Sequence, residues 1–482
     1  MSEGGGCGFP LSSRLSGIAV AVIVASVCGA GCSSPGTGST AKPKPPVTLA
    51  AQAFVWGLPL VVSMRTAQTF SKAIGTNHLV SQTNLTGPGP QIVVSPNVDT
   101  LYSVAVLDLR SGPEMLTVPA IHNRYYVYQF LDMFTQSFAY VGTRATAGRA
   151  GSWVVAAPGW NGQVPAGDSV IRSSTPVVFL LGRFLVSGVA DLPATRAMMT
   201  QVRLAPLNGA PSLGQSQSRP NGTASTATLP ANQLGLGAGR GTPQNVAQAG
   251  AAFFDELGDD LAVNPPTSNA DRSELDRFAS LGVGPGRHPA ANSTSTRRAG
   301  LAQGVSEGAT QVQRAVASTS HGVNGWVERL DIGRYSSNFL VRAEVAQTGW
   351  GANIPQEAVY INSSRDSHGD PYSGSRSYIL RFPAGSSPPA QAFWSLTAYG
   401  PDKFLVANAE DRYSIGSHTP GLQTNPDGSL DLYLQATLPS AHTSNWLPTP
   451  TSAFTLTMRI YLPLPPVLLG RYRLPTVEPA GR

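Results

Sequence analysis

Asp99 and Asp132 are the two carboxylates that local pattern does not explain. Asp99 stands in Ser95-Pro96-Asn97-Val98-Asp99-Thr100-Leu101-Tyr102, a polar cluster where a turn enters strand-like sequence. Two readings fit it. The Asn97 and Asp99 side chains cap nearby backbone amides, as Asn and Asp commonly do in turns, or Asp99, with Asn97 and Thr100, offers oxygens to a divalent metal ion or a polar substrate. Asp132, in Phe130-Leu131-Asp132-Met133-Phe134-Thr135, costs several kcal/mol in so apolar a run unless it is paired or hydrogen-bonded. Arg144 and Arg183 are its natural ion-pair partners, and the sharper alternative is a carboxylate held in a cleft for proton transfer. Departures from local pattern tend to mark functional or strained places. A site, if the chain has one, is expected around Asn97, Asp99, Tyr102, Asp132 and Arg144, with Arg183 a further ligand-binding candidate. Asp99 would be the metal or substrate ligand, Asp132 the acid/base, and Arg144 the anion-binding or charge-pairing partner.

Familiar catalytic patterns are missing from the sequence: there is no His-Glu-x-x-His, no Gly-x-Ser-x-Gly elbow between a strand and a helix, no P-loop and no dinucleotide glycine fingerprint. The 7 histidines are far apart, without a His-x-His pair. Asn425-Pro426-Asp427-Gly428-Ser429 resembles part of a calcium loop but reads more simply as a hairpin turn with glycine at positive φ.

The elements that must position these residues are short and mostly β. Ala50 to Ile74 has helical spacing and is expected to break around Gly57-Leu58-Pro59. From Gln91 the period becomes two, giving strands at Leu101 to Leu109, Met115 to Val118, Tyr125 to Leu131, Phe138 to Val141, Ser152 to Ala156 and Val177 to Val186. Turn residues at close intervals between them are the spacing of an antiparallel sandwich rather than of βαβ units. A helical connecting region is expected over residues 193–334, with Met198 to Leu204, Ala247 to Leu261 and Leu301 to Ser318 helical. Within it, Ser212 to Thr242 is a Gly-, Ser- and Pro-rich insertion of little order. Strand signatures return at Ala358 to Ile361, Ser377 to Phe382, Ala392 to Ala398, Leu430 to Ala436 and Phe454 to Leu462, marking a second β domain over residues 335–482. Residues 49–192 make the first.

The N-terminal region bears on location. Arg14, the apolar run Leu15 to Val27 and the small residues Gly29-Ala30-Gly31 form an export signal ending at Cys32, the last of 3 cysteines. Roughly a dozen apolar residues are too few for the ~20 that span a bilayer as a helix. Two outcomes follow from the pattern: Cys32 becomes the acylated first residue of a bacterial lipoprotein after removal of residues 1–31, or the signal is cut near Ala30 and leaves a stray thiol. Residues 32–48 then read as a flexible tether. The net charge of +6 comes mainly from scattered arginines, which argues against nucleic acid as a partner.

Taken together, Ser95 to Tyr102, Arg124-Tyr125-Tyr126, Leu131-Asp132-Met133, Gly142-Thr143-Arg144 and Pro158-Gly159-Trp160 resemble the domain of unknown function numbered 1254. A later set resembles its usual companion, numbered 1214: Ala358-Val359-Tyr360, Phe393-Trp394-Ser395-Leu396-Thr397, Arg412-Tyr413-Ser414, Asn425 to Ser429 and Asn445-Trp446-Leu447-Pro448. The resemblance implies a mainly β fold with a helical connecting region: an immunoglobulin-like sandwich followed by a jelly-roll-like sandwich. It implies no established activity, so no catalytic role is carried over. Two functional expectations remain. One is an envelope protein anchored to the membrane through its lipid, on the outer face of the bacterial cytoplasmic membrane, that binds a glycan, lipid or other envelope ligand. The other is an envelope hydrolase or lyase working through carboxylates, with or without a metal.

Overall fold

Alternation of side chains along the central strands decides the architecture. The structure, a computed structural model, describes residues 48–89, 95–207, 246–318 and 322–480, with the backbone of Thr228–Leu229. The signal segment, Cys32, most of the tether and all but those two residues of the Ser212 to Thr242 insertion lie outside the described residues.

The first β domain contains β1 (Val80–Gln82), β2 (Thr100–Asp108), β3 (Glu114–Val118), β4 (Tyr126–Asp132), β5 (Ser137–Gly142), β6 (Gly151–Ala156), β7 (Ser169–Arg172), β8 (Val177–Leu185), β9 (Arg203–Pro206) and β10 (Thr228–Leu229). They make one sheet in the order β10-β1-β2-β8-β4-β5 and another in the order β7-β6-β3-β9. Because successive side chains point to opposite faces, Leu101, Ala105, Tyr126, Tyr128, Phe130, Leu180 and Phe184 meet Leu116, Val118 and Val155 of the facing sheet. The residues between them on β2, β4 and β8 are buried too, on the outer face. There Val104, Val106, Leu131, Phe179 and Leu181 pack under helices, and Val127 packs beside Tyr125 against the second β domain.

The helices covering that face are α1 (Leu49–Ile74), α3 (Phe253–Val263), α4 (Asn269–Phe278), α5 (Ser295–Ser318) and α6 (Phe339–Thr348); α2 (Leu192–Met199) lies at the edge of the sandwich. α1 runs unbroken through Pro59, contrary to the expected break. An internal proline removes one backbone bond and costs ~3 kcal/mol. Here burial on nearly every side of the helix offsets it, since Phe54, Trp56, Leu58, Leu60, Val61 and Val62 are all buried. Glycines set the spacing: a Cβ on Gly304 of α5 would lie 2.3 Å from the Ala50 Cβ, and one on Gly308 would lie 2.7 Å from the Phe54 ring. By length and composition α1 could cross a membrane, yet most of its apolar stretch is buried inside the protein. The expected helix at Met198 to Leu204 instead ends at Met199, and β9 follows, because Arg203–Pro206 finds an open edge to pair with on β3.

The second β domain has β11 (Trp326–Glu328), β12 (Ala358–Ser363), β13 (Tyr378–Phe382), β14 (Ala390–Tyr399), β15 (Ser414–Gly416), β16 (Leu430–Gln435), β17 (Trp446–Pro448), β18 (Thr455–Pro463) and β19 (Val477–Pro479), with the short α7 (Pro465–Leu468) after β18. Sheets β11-β12-β18-β14-β15 and β17-β16-β13-β19 pack face to face around Val359, Ile361, Trp394, Leu396, Ile460, Leu380 and Leu432. β14 is buried on both faces from Phe393 to Tyr399, because its other face meets the first domain. The fold is thus mainly β with a helical connecting region, and among the described residues no sheet closes into a barrel.

Candidate functional site

The segment Ser95 to Tyr102 works as a clasp between the two β domains. Asn97 Oδ1 accepts from the backbone N–H groups of Asp99 (2.6 Å) and Thr100 (3.1 Å), which turns the chain into β2. Other polar groups of the segment reach across the domain boundary. Asn97 Nδ2 donates to Tyr461 Oη, Tyr399 Oη donates to the Pro96 carbonyl (2.7 Å), and Arg459 Nη2 donates to the Ser95 carbonyl (2.8 Å). The Asp99 carboxylate accepts from Ser395 Oγ and Ser414 Oγ, both at 2.6 Å, and lies 3.5 Å from His418 Nε2. Burial alone would raise its pKa. His418 and the two hydroxyls outweigh burial, so the carboxyl sits below the usual range.

Beside the clasp, two sheet faces meet in an aromatic and polar seam. Tyr461 stacks on Phe393 at 4.2 Å, and Tyr125 meets both rings edge-on. Glu357, just before β12, is fully buried; it accepts from Tyr125 Oη (3.0 Å) and from Arg144 Nε (2.6 Å). Burial raises its pKa despite the pull of Arg144 and Tyr125.

Arg183 lies opposite Tyr102 in the β2–β8 register, with its guanidinium 5.4 Å from the Tyr102 ring centre, and it is only 6% exposed. Its partners are neutral: Nη1 donates to Gln129 Oε1 (2.7 Å) and, at 3.5 Å, to Asn353 Oδ1, while Nη2 donates to the Gly351 carbonyl (2.8 Å). No carboxylate among the described residues pairs with it. The phenols of Tyr102, Tyr360, Tyr461 and Tyr125 and the Glu357 carboxylate lie close enough to act on it electrostatically.

Of the sequence candidates, Asn97, Asp99, Tyr102, Arg144 and Arg183 gather at this seam. Asp132 does not. The expected pairing of Asp132 with Arg144 or Arg183 is corrected by the structure: Arg144 pairs with Glu357, and Arg183 has no acidic partner. Asp132 Oδ1 caps its own turn, accepting from Phe134 N and Gln136 N (both 2.9 Å), and Ser174 Oγ donates to Oδ2 (2.5 Å). Val186 N bonds the Asp99 carbonyl and Val178 pairs with Asp132, so the two acids are eight residues apart along β8, roughly 26 Å. Among the described residues, no group of three or more His, Cys, Asp or Glu side chains is placed to hold a metal ion. At residues 425–429 the chain makes a tight turn with Gly428 at φ +80°, and Asp427 bonds Ser429 and Arg381.

Sequence reasoning missed Glu357, Tyr360, His418 and Tyr461. Glu357 had a signal: a lone acid directly before an apolar strand. The other three follow strand or loop pattern, and only the docking of the domains makes them neighbours.

The clasp and the polar seam join two pairs of β-sheets within one compact unit. Two family models match the chain in this order: residues 76–206 match the protein of unknown function DUF1254, and residues 357–465 match the protein of unknown function DUF1214. The seam lies between them, with Tyr102 and Arg183 from the first and Glu357, Tyr360, His418 and Tyr461 from the second. Among solved structures, the chain is similar to the VPA0106 protein from Vibrio parahaemolyticus, with a TM-score of 0.65 at 23% identity over 90% of this chain and 100% of that one. That likeness shows a shared fold. An uncharacterized protein from Burkholderia cenocepacia gives a TM-score of 0.42 at 14% identity over 92% of this chain and 91% of that chain. No curated protein matches the chain.

Proposed function

We propose that the mature protein is held on the outer face of the bacterial cytoplasmic membrane through acylated Cys32 and binds an envelope ligand, a glycan or a lipid, in the seam between its β domains. The observation that carries the binding reading is the convergence of Arg183, Tyr102, Tyr360 and Tyr461 from four different strands at one place. Phenol rings flanked by hydrogen-bonding groups suit the C–H faces and hydroxyls of sugars and the head groups of lipids. The anchor would present that seam to both kinds of ligand.

Titration of the purified full-length protein with soluble cell-wall glycan fragments and with vesicles of envelope lipid tests this, wild type beside Tyr360→Trp, which fills the seam. Saturable binding that the variant weakens supports the reading. Equal binding by both proteins, or no binding by either, overturns it.

A second reading, an envelope hydrolase or lyase, rests on Glu357. It is the seam carboxylate with a raised pKa, hydrogen-bonded to Tyr125 in a buried setting, and that is how a general base is poised. Asp99, by contrast, is held below the usual carboxylate range by His418 and its two hydroxyl donors. Turnover of any glycan fragment by wild type and its loss in Glu357→Gln would favour this reading over binding alone.

A further inference from the structure

The seam has more hydrogen-bond donors than acceptors, and the excess is centred on a buried cation. Arg183 carries five N–H donors, and its Nε–H has no acceptor among the described residues. Tyr360 Oη accepts from Asn353 N and Nδ2, and Tyr461 Oη accepts from Asn97; neither donates to a described residue. The Tyr102 hydroxyl makes no hydrogen bond among them. Acceptors nearby are already engaged. Both Glu357 oxygens are filled by Tyr125 and Arg144, and Gln129 Oε1 is filled by Arg183 itself.

A buried cation with no carboxylate in direct contact is costly, and the Glu357 carboxylate offsets only part of that cost from a distance. Of the other buried arginines, Arg342 pairs with Asp271 at 2.8 Å, while Arg459 hydrogen-bonds the neutral Thr397, Ser95 and Tyr399 groups. Tyr102, over whose ring the Arg183 guanidinium lies, and Tyr360 are only partly buried, so the seam around Arg183 is not wholly sealed.

Resting on the reading of the seam as the binding site, we infer that its ligand carries an oxyanion, a carboxylate or phosphate, that docks on Arg183 and accepts from the hydroxyls of Tyr102, Tyr360 and Tyr461. The Nε edge of a guanidinium presents a fork that fits two oxygens of one such group. Neutral sugar hydroxyls would satisfy the phenols but leave the cation without an anion in direct contact. In an envelope the same chemistry is offered by an acidic sugar and by a phospholipid head group.

Calorimetric titration of the full-length protein with D-glucuronate, D-glucose, glycerol 3-phosphate and inorganic phosphate tests the inference, with vesicles of phosphatidylglycerol and of phosphatidylcholine as the lipid arm. Binding of an anionic probe about tenfold or more tighter than its neutral counterpart is expected, with a similar loss in Arg183→Gln. Glucuronate preferred over phosphatidylglycerol vesicles identifies an acidic glycan, and the reverse identifies a lipid head group. Should Arg183→Gln fail to fold, Tyr102→Phe and Tyr360→Phe keep the rings and remove only the donors; each should weaken anion binding several-fold. A merely structural Arg183 would leave both tyrosine variants unchanged. Glucose bound as tightly as glucuronate, with sensitivity to Tyr360→Trp, overturns the oxyanion inference while leaving the seam as the site. Anion binding indifferent to Tyr360→Trp removes the seam reading itself. Failure of every probe to bind overturns the oxyanion inference.

Discussion

The Asp99 carboxylate of the first β domain accepts a 2.6 Å hydrogen bond from Ser395 of the second, and neither residue is exposed enough for water to replace the other. Buried hydrogen bonds to a charged group contribute more than neutral ones, and losing one partner leaves the other desolvated. The most polar stretch of the first domain therefore acts as part of the joint between domains.

Substituting Asp99→Asn removes the charge and puts an N–H₂ group where the Ser395 and Ser414 hydroxyls donate. The expected loss is about 2–3 kcal/mol of stability at pH 7, read from the denaturant midpoint. Because folding lowers the Asp99 pKa, its contribution is present above the unfolded carboxylate value and is lost as pH falls through the lower folded value. The difference between wild type and variant should shrink in acid below about pH 4.

Asp132 behaves in the opposite sense. Burial raises its pKa to about 6, against the pull of Ser174, the Gln136 amide and Arg342, with Asp271 pushing it further up. A group raised on folding stabilises fully below its unfolded pKa, and that contribution is lost as pH rises through the folded value. Wild type should therefore lose roughly 2–3 kcal/mol between about pH 4 and pH 6 from this residue, a slope that Asp132→Asn abolishes. An asparagine keeps both backbone caps and can donate to Ser174, so the variant should match or exceed wild type at pH 8. Denaturation curves at pH 4, 6 and 8 decide it; a variant less stable at pH 8 than at pH 4, relative to wild type, contradicts the assignment.

Arg144→Ala leaves Glu357 buried with Tyr125 as its hydrogen-bond partner. The Arg144 side chain is 34% exposed, so solvent screening reduces the effect below that of a fully buried pair. About 1–2 kcal/mol of destabilisation at pH 8 is expected, shrinking as pH falls and Glu357 takes up a proton. Thermal melts from pH 8 downward give the comparison.

The anchor is tested by Cys32→Ala. With an acylated Cys32, the wild-type protein sediments with membranes and the variant moves to the soluble exported fraction. A variant that stays as membrane-bound as wild type removes the lipid anchor from the proposal.

Period and turn chemistry in the sequence located the long strands β2, β4, β8, β12, β14 and β18 within a few residues, because each alternates or runs apolar between turn-forming residues. Short edge strands such as β7, β11, β15 and β19 left no such signal; three or four residues carry too little period, and their partners define them. α1 was legible as a helix, but its passage through Pro59 was not, since local propensity omits the packing of Gly304 and Gly308 against it.

At the seam, residue type alone singled out Asn97, Asp99, Tyr102, Arg144 and Arg183, because a polar group in strand sequence is anomalous wherever it folds. Which partners they take was decided by tertiary structure. Arg144 reaches Glu357 more than two hundred residues away, Asp99 reaches Ser395 and Ser414, and Asp132 turns back onto its own loop. Partner choice depends on which sheet faces dock, and docking is set by the shape of two buried surfaces that no single stretch of sequence contains.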